Sequence, residues 1–151
     1  MSSWADFERL APELAGSVRQ LFDARRHKTL ATLRAGGSPR LSGIETTIES
    51  GELCFGSMAA SRKLADLLRD PRITLFSLSD DPTHGHEAEW DGDARISGVA
   101  VPVGAIEEGA EGHRFRCDIA EVVFTHLNES ATLLAIESWT PERGYRLVER
   151  A

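Results

Sequence analysis

Between residues 61 and 72 the chain reads SRKLADLLRDPR, with two cations, Arg62 and Lys63, directly after a serine. Leu64, Leu67 and Leu68 recur at i, i+3, i+4, the spacing of one helical face, and Ser61 is a good N-cap. Asp70-Pro71 stops this helix after about two to three turns, because proline disfavours the αR conformation in the residue before it. Arg62 and Lys63 therefore stand in the first turn, where the helix dipole already concentrates partial positive charge. Two readings account for them. Either both face solvent at a small electrostatic cost, or they complete an anion site. In the second, the free backbone N–H groups of the helix start and two charge-assisted donors hold a phosphate.

Other residues capable of chemistry are more isolated. His84, His86 and Glu87 form HGHE, and a lone H-x-H on a loop can chelate a metal, but no second ligand pair follows at a fixed spacing, so no metal is expected. His27 precedes a strand and His126 lies within one, positions that are more often structural. Cys117 follows Arg116, which could lower its pKa, although an inert strand cysteine is the commoner case. Trp90 lies in a polar loop where it could cap a flat ring; Trp4, Trp90 and Trp139 more often serve as packing residues. No Ser-His-Asp ordering, P-loop or GxGxxG is present, which leaves hydrolase and NTPase readings without support. No catalytic residue can be named.

The elements that must position these groups follow from periodicity. Residues 1–26 read as helical, with Phe7, Leu10, Leu14, Val18, Leu21 and Phe22 as an apolar stripe and Pro12 opening a second part. From His27 the period becomes two. Strands are expected at 28–34, 40–49, 52–57, 73–79, 93–103, 117–127, 131–139 and 144–150, joined at first by hairpin-length turns (AGGSP, SG). The stretch 80–93 reads as a long loop and 106–115 as a short helix or loop. Gly98, inside a strand, marks a bulge or a close backbone approach. Antiparallel strands in this number, with two main helices, favour a closed or nearly closed barrel, which disposes of edge strands.

Composition sets the outer bounds. At 151 residues with 41% hydrophobic and 27% charged content, residues 1–151 read as one soluble globular domain. A net charge of −7 argues against a general nucleic-acid or anionic-membrane surface, so any basic site must be local. Cys54 and Cys117 form no CxxC pair and read as buried free thiols in a reducing compartment. The opening MSSWADFERL has neither a basic nor an apolar targeting region, and no window approaches a membrane span, so the expected location is the cytoplasm.

The order of these pieces resembles a known family. Strand, GGSPR, strand, glycine hairpin, strand, S-R-K, short helix, D-P-R, strand is similar to the FMN-binding split-barrel proteins related to pyridoxamine 5′-phosphate oxidase, over roughly residues 27–103. The most specific element is S-R-K followed by D-P-R at this distance. The tail, ending SWTPERGYRLVER, is similar to bacterial members known only as oxidase-related.

The resemblance implies a mainly β (α+β) fold: an antiparallel split β-barrel of about six to seven strands, with an N-terminal helix and a short helix after the third strand. It implies a flavin-dependent oxidoreductase using FMN or a deazaflavin coenzyme on a small-molecule substrate; the alternative is a non-catalytic flavin or small-ligand binding protein on the same barrel. The matching cofactor-binding positions are Ser61, Arg62 and Lys63 at the phosphate, Arg40, Leu41 and Ser42 along the flavin, Phe55, Gly56 and Ser57 by the ribityl chain and phosphate, and Asp93, where relatives often carry glutamine. Family members are homodimers with the flavin at the subunit interface, and this chain is expected to follow. One departure bears on substrate. True pyridoxamine phosphate oxidases carry a lysine for the substrate phosphate where this chain has Glu45, and a carboxylate repels that group. The C-terminal substrate signature is also absent, so the cofactor site looks kept and the vitamin B6 substrate site lost.

Overall fold

A computed structural model describes residues 1–105 and 111–151. The N-terminal segment folds as two helices, α1 (Trp4–Leu10) and α2 (Pro12–Ala24), the second opened by Pro12 as expected. Ser3 caps α1 by accepting from the Asp6 N–H at 3.1 Å, and Ala11, with φ −139°, breaks the helix just before Pro12 opens the next at its first position. Of the expected apolar stripe, Phe7, Leu14, Val18, Leu21 and Phe22 join the core together with Trp4, whereas Leu10, at the end of α1, is 55% exposed. Phe7 packs against Trp139 with ring centroids 5.1 Å apart.

The strands are β1 (His27–Leu33), β2 (Pro39–Glu49), β3 (Glu52–Met58), β4 (Arg72–Ser77), β5 (Asp93–Gly104), β6 (Gly112–Leu127), β7 (Leu134–Thr140) and β8 (Gly144–Arg150), with α3 (Arg62–Arg69) between β3 and β4. All pair antiparallel in the order β3-β2-β1-β4-β5-β6-β7-β8, and an extra β3–β6 pairing closes the first six into a barrel. The long β6 makes this possible: Gly112–Met58 through Arg116–Cys54 pair with β3, while Val122–Trp139 through Leu127–Leu134 pair with β7. The expected split barrel is thus the fold, with β7 and β8 extending its wall.

Two strand boundaries differ from the periodicity reading by more than two residues. Residues 112–115 belong to β6, because Phe115 packs inward against Phe55 at 5.5 Å; the rest of the expected helix or loop, 106–110, lies outside the described residues. Strand β7 starts at Leu134 rather than 131, because Asn128 Oδ1 accepts the Thr132 and Leu133 N–H groups in a turn that holds Ala131 at φ +55°. The ladder between β5 and β6 shifts register at Ser97/Gly98. A Cβ on Gly98 would sit 2.0 Å from the Asp118 carbonyl oxygen, so the bulge requires glycine.

Inward positions of the barrel alternate as Leu30, Ile44, Leu53, Phe55, Ile73, Leu75, Ala94, Ile96 and Phe115, all buried. Among the described residues no helix is long and apolar enough to cross a membrane.

Candidate functional site

Helix α3 begins as the sequence dictates. Ser61, extended at φ −76° and ψ 145°, accepts the Leu64 N–H at 3.3 Å and donates to the Met58 carbonyl at 2.8 Å. Its oxygen lies 2.8 Å from that of Ser57, and since the Ser61 proton is already given to Met58, Ser57 is the donor. The Ser57 → Ser61 → Met58 chain fixes the helix start to the end of β3. Leu64 and Leu67 are buried, while Leu68 is 59% exposed.

From this start Lys63 reaches back to β2, its Nζ donating to the Gly43 carbonyl at 3.4 Å; Arg62 is exposed. Beside Lys63 opens a cleft of about 430 Å3 on the outer face of β1, β2 and β3, lined by His27, Gly43, Ile44, Glu45, Gly56, Met58 and Lys63. That volume is within the ordinary range for a small-molecule site. Its floor carries two glycines, and a Cβ on Gly43 would meet nothing within 4 Å, so bare backbone faces open space. His27 and Glu45 are partners across the β1–β2 ladder, with Nε2 and Oε1 3.6 Å apart.

One helical turn beyond Lys63, Asp66 is buried under α3. Arg40 Nε and Thr32 Oγ1 each donate to its Oδ2 at 2.7 Å, and Arg69 donates to Oδ1 at 3.1 Å and also to the Leu33 carbonyl at 2.5 Å. The carboxyl is held down at about 2, first by the hydrogen bond from Arg40, against the opposing effect of burial, with Thr32 and Arg69 adding to the depression.

The structure therefore divides the ten sequence-derived positions. Gly56 and Lys63 line the cleft; Arg62, Ser61 and Ser57 stand at or behind the helix start. Arg40 and Ser42 are half-buried positions of β2, and Arg40 is engaged with Asp66. Phe55 is a core residue. Leu41, 72% exposed, faces a separate groove of about 330 Å3 with Thr29, Ala31, Thr74, Phe76 and Arg95. Asp93, at the start of β5, pairs with Thr125; burial raises its pKa and Arg95 opposes that rise. The reading by motif missed His27, Gly43, Ile44 and Met58 as cleft residues. Alternation on β2 signalled Gly43, which shares an outward face with Glu45.

Other candidates resolve simply. His84 and His86 lie 3.8 Å and 3.5 Å from Glu87 and Glu89 on the 80–92 loop. Cys117 is completely buried and its thiol is pushed up to about 12 by that burial, so Arg116 does not activate it. His126 is held by Glu137 at 2.7 Å and stacks on Phe124.

Comparison with known proteins agrees with this architecture. Residues 14–141 match the family described as pyridoxamine 5′-phosphate oxidase. The chain belongs to that family. No curated protein matches it significantly. PhzG from Burkholderia lata, solved in complex with tetrahydrophenazine-1-carboxylic acid, superposes with a TM-score of 0.65 at 14% identity, over 97% of this chain and 92% of its own. A pyridoxamine 5′-phosphate oxidase-related, FMN binding protein from Nostoc punctiforme gives 0.64 at 9% identity, over 93% and 96%. An F420 reductase gives 0.52 at 12% identity, over 68% and 92%. At these identities the likeness is one of fold.

Proposed function

We propose that this member of the pyridoxamine 5′-phosphate oxidase family binds a flavin nucleotide, FMN or the deazaflavin F420, in the cleft beside α3 and uses it for oxidoreduction of a small molecule. The observation that carries this is the junction of a cationic helix start with a glycine-floored cleft on a protein of net charge −7. Lys63, Arg62 and the first N–H groups of α3 hold the phosphate, with Arg40 reaching it from β2. The bare backbone at Gly43 and Gly56 lets a flat ring system lie close. When bound, a flavin supplies hydride transfer, and the chain supplies binding, orientation and electrostatics. Glu45 on the cleft wall opposes a phosphorylated substrate, so pyridoxamine 5′-phosphate is not the substrate.

A second reading is a non-catalytic flavin or small-ligand binding protein. It is favoured by the exposure of the cleft's two candidate proton carriers: the His27 and Glu45 side chains are 73% and 59% exposed. In either case the chain works as a homodimer, with the flavin roofed by the second copy. Two free, buried cysteines fit a reducing cytoplasm.

Purified protein titrated with FMN, F420 and riboflavin tests the reading. Saturable binding of a phosphorylated flavin, weaker binding of riboflavin and bleaching under anaerobic reductant are expected. Failure to bind either nucleotide overturns it. Reoxidation of the reduced cofactor by small-molecule acceptors separates the enzyme from the binding protein.

A further inference from the structure

We propose that Asp66 is a positioning residue for the anion site: its buried carboxylate aims the Arg40 guanidinium and locks it to the helix whose first turn carries Lys63. The inference rests on the flavin-phosphate reading above and goes beyond it, because Asp66 itself stands behind the cleft.

Arg40 and Lys63 belong to different elements, and an arginine on a strand has four flexible side-chain torsions. A donor that wanders contributes little to binding, because its freedom must be lost when the ligand arrives. Asp66 removes that freedom in advance. Its side chain is 3% exposed, and Arg40 binds it through Nε at 2.7 Å. Among the described residues neither Nη nitrogen of Arg40 makes a hydrogen bond, so that edge stays available to an incoming oxyanion. The carboxylate is in turn fixed from both sides. Thr32 Oγ1 shares Oδ2 at 2.7 Å, and Arg69, anchored on the Leu33 carbonyl, holds Oδ1 at 3.1 Å. Asp66 and Lys63 are one turn apart on the same helix, so a movement of α3 that displaced Lys63 would also break the Arg40 contact. Strand and helix donors are held in one register.

A role in charge alone predicts the opposite outcome. Asp66 is an anion near a site for an anion, so neutralising it should tighten phosphate binding if charge were all that mattered. Positioning predicts that Asp66→Asn weakens FMN binding by about tenfold, the loss of one well-placed charge-assisted hydrogen bond. The loss should be absent with riboflavin, which has no phosphate, and absent in an Arg40→Gln background. Thr32→Val serves as the second variant, since it loosens the same carboxylate without altering any charge; it should give a smaller loss confined to FMN. Fluorescence titration of FMN and riboflavin reads all of these. A folded Asp66→Asn or Thr32→Val protein that binds FMN as tightly as the parent, or more tightly, overturns the proposal. Equal losses for FMN and riboflavin overturn it too, because they report a deformed cleft. A parent that binds no FMN overturns the flavin reading itself, and this proposal with it.

Discussion

Lys63 and Arg40 are both cations expected at a phosphate, yet the fold uses them differently. Lys63 is half-exposed and spends its charge on one long contact to the Gly43 carbonyl. Lys63→Ala should therefore leave stability nearly unchanged while weakening FMN binding by about ten- to hundredfold, the range for one charge-assisted bond to phosphate. Parallel thermal melts and flavin titrations check the two halves of this. Arg40 faces a buried partner, so Arg40→Ala leaves Asp66 short of its principal donor and should cost about 3 kcal/mol in urea unfolding, the lower end for a broken buried pair because Thr32 and Arg69 remain. The same pair sets an acid limb. The folded-state pKa of Asp66 is depressed, so its contribution is complete above the ordinary aspartate range and is lost as pH falls through about 2. Asp66→Asn should flatten stability over that interval, as measured by denaturant midpoints at descending pH. The Asp66–Arg40 contact was not legible in the sequence, because nothing in the spacing of Asp66 points to Arg40, 26 residues earlier.

At the scale of elements, β5 and β6 carry the barrel's most demanding geometry. Their ladder slips at Ser97/Gly98, opposite the stretch of β6 between its pairing with β3, which ends at Arg116, and its pairing with β7, which begins at Val122, while β5 stays paired along the other edge of β6. The close approach of Gly98 to the Asp118 carbonyl oxygen, at 2.0 Å from an added Cβ, involves backbone and cannot be relieved by a side-chain rotation. Gly98→Ala should destabilise the protein by roughly 2–3 kcal/mol or more, as other overpacked sites do, with a lowered urea midpoint and an unchanged slope. This feature was legible, because a glycine weakens a strand interior unless the backbone there must bulge or approach a neighbour closely. The period of two located the strands from the same local chemistry, and Ser61 and Asp70-Pro71 bracketed α3 within a residue. Limits set by tertiary contact were not legible. Strand β6 begins inside a polar stretch because Phe115 finds Phe55 across the barrel, whereas the break between α1 and α2 was legible in Pro12.

The whole molecule covers its sheet unevenly. Helices α1 and α2 bury one side of the extended wall, where Phe7 meets Trp139, and the barrel interior is filled by its own side chains. Among the described residues the outer face of β2, β1, β4 and β5 carries no covering layer: Leu41 is 72% exposed beside Ala31 and Phe76, in a groove of about 330 Å3 that Thr29, Thr74 and Arg95 also line. Leu147 and Tyr145 on β8 are 48% and 50% exposed as well. An apolar sheet face of this kind calls for a second layer, and a two-fold copy of the same surface closes on itself without growing into a fibre. The cofactor positions derived by motif point the same way. Leu41 lies outside the cleft that holds Lys63 and Gly56, two residues from Gly43 on the same face of β2, so a second copy seated on Leu41 would stand beside that cleft. We expect a dimer with two flavin sites. Leu41→Glu, which places a charge in the middle of that face, should shift the protein to monomer in sedimentation equilibrium and weaken FMN binding with it, although Leu41 touches neither Lys63 nor the start of α3. A parent protein that sediments as a monomer at micromolar concentration and still binds FMN tightly would refute the shared site, and a Leu41→Glu dimer would place the interface on another face.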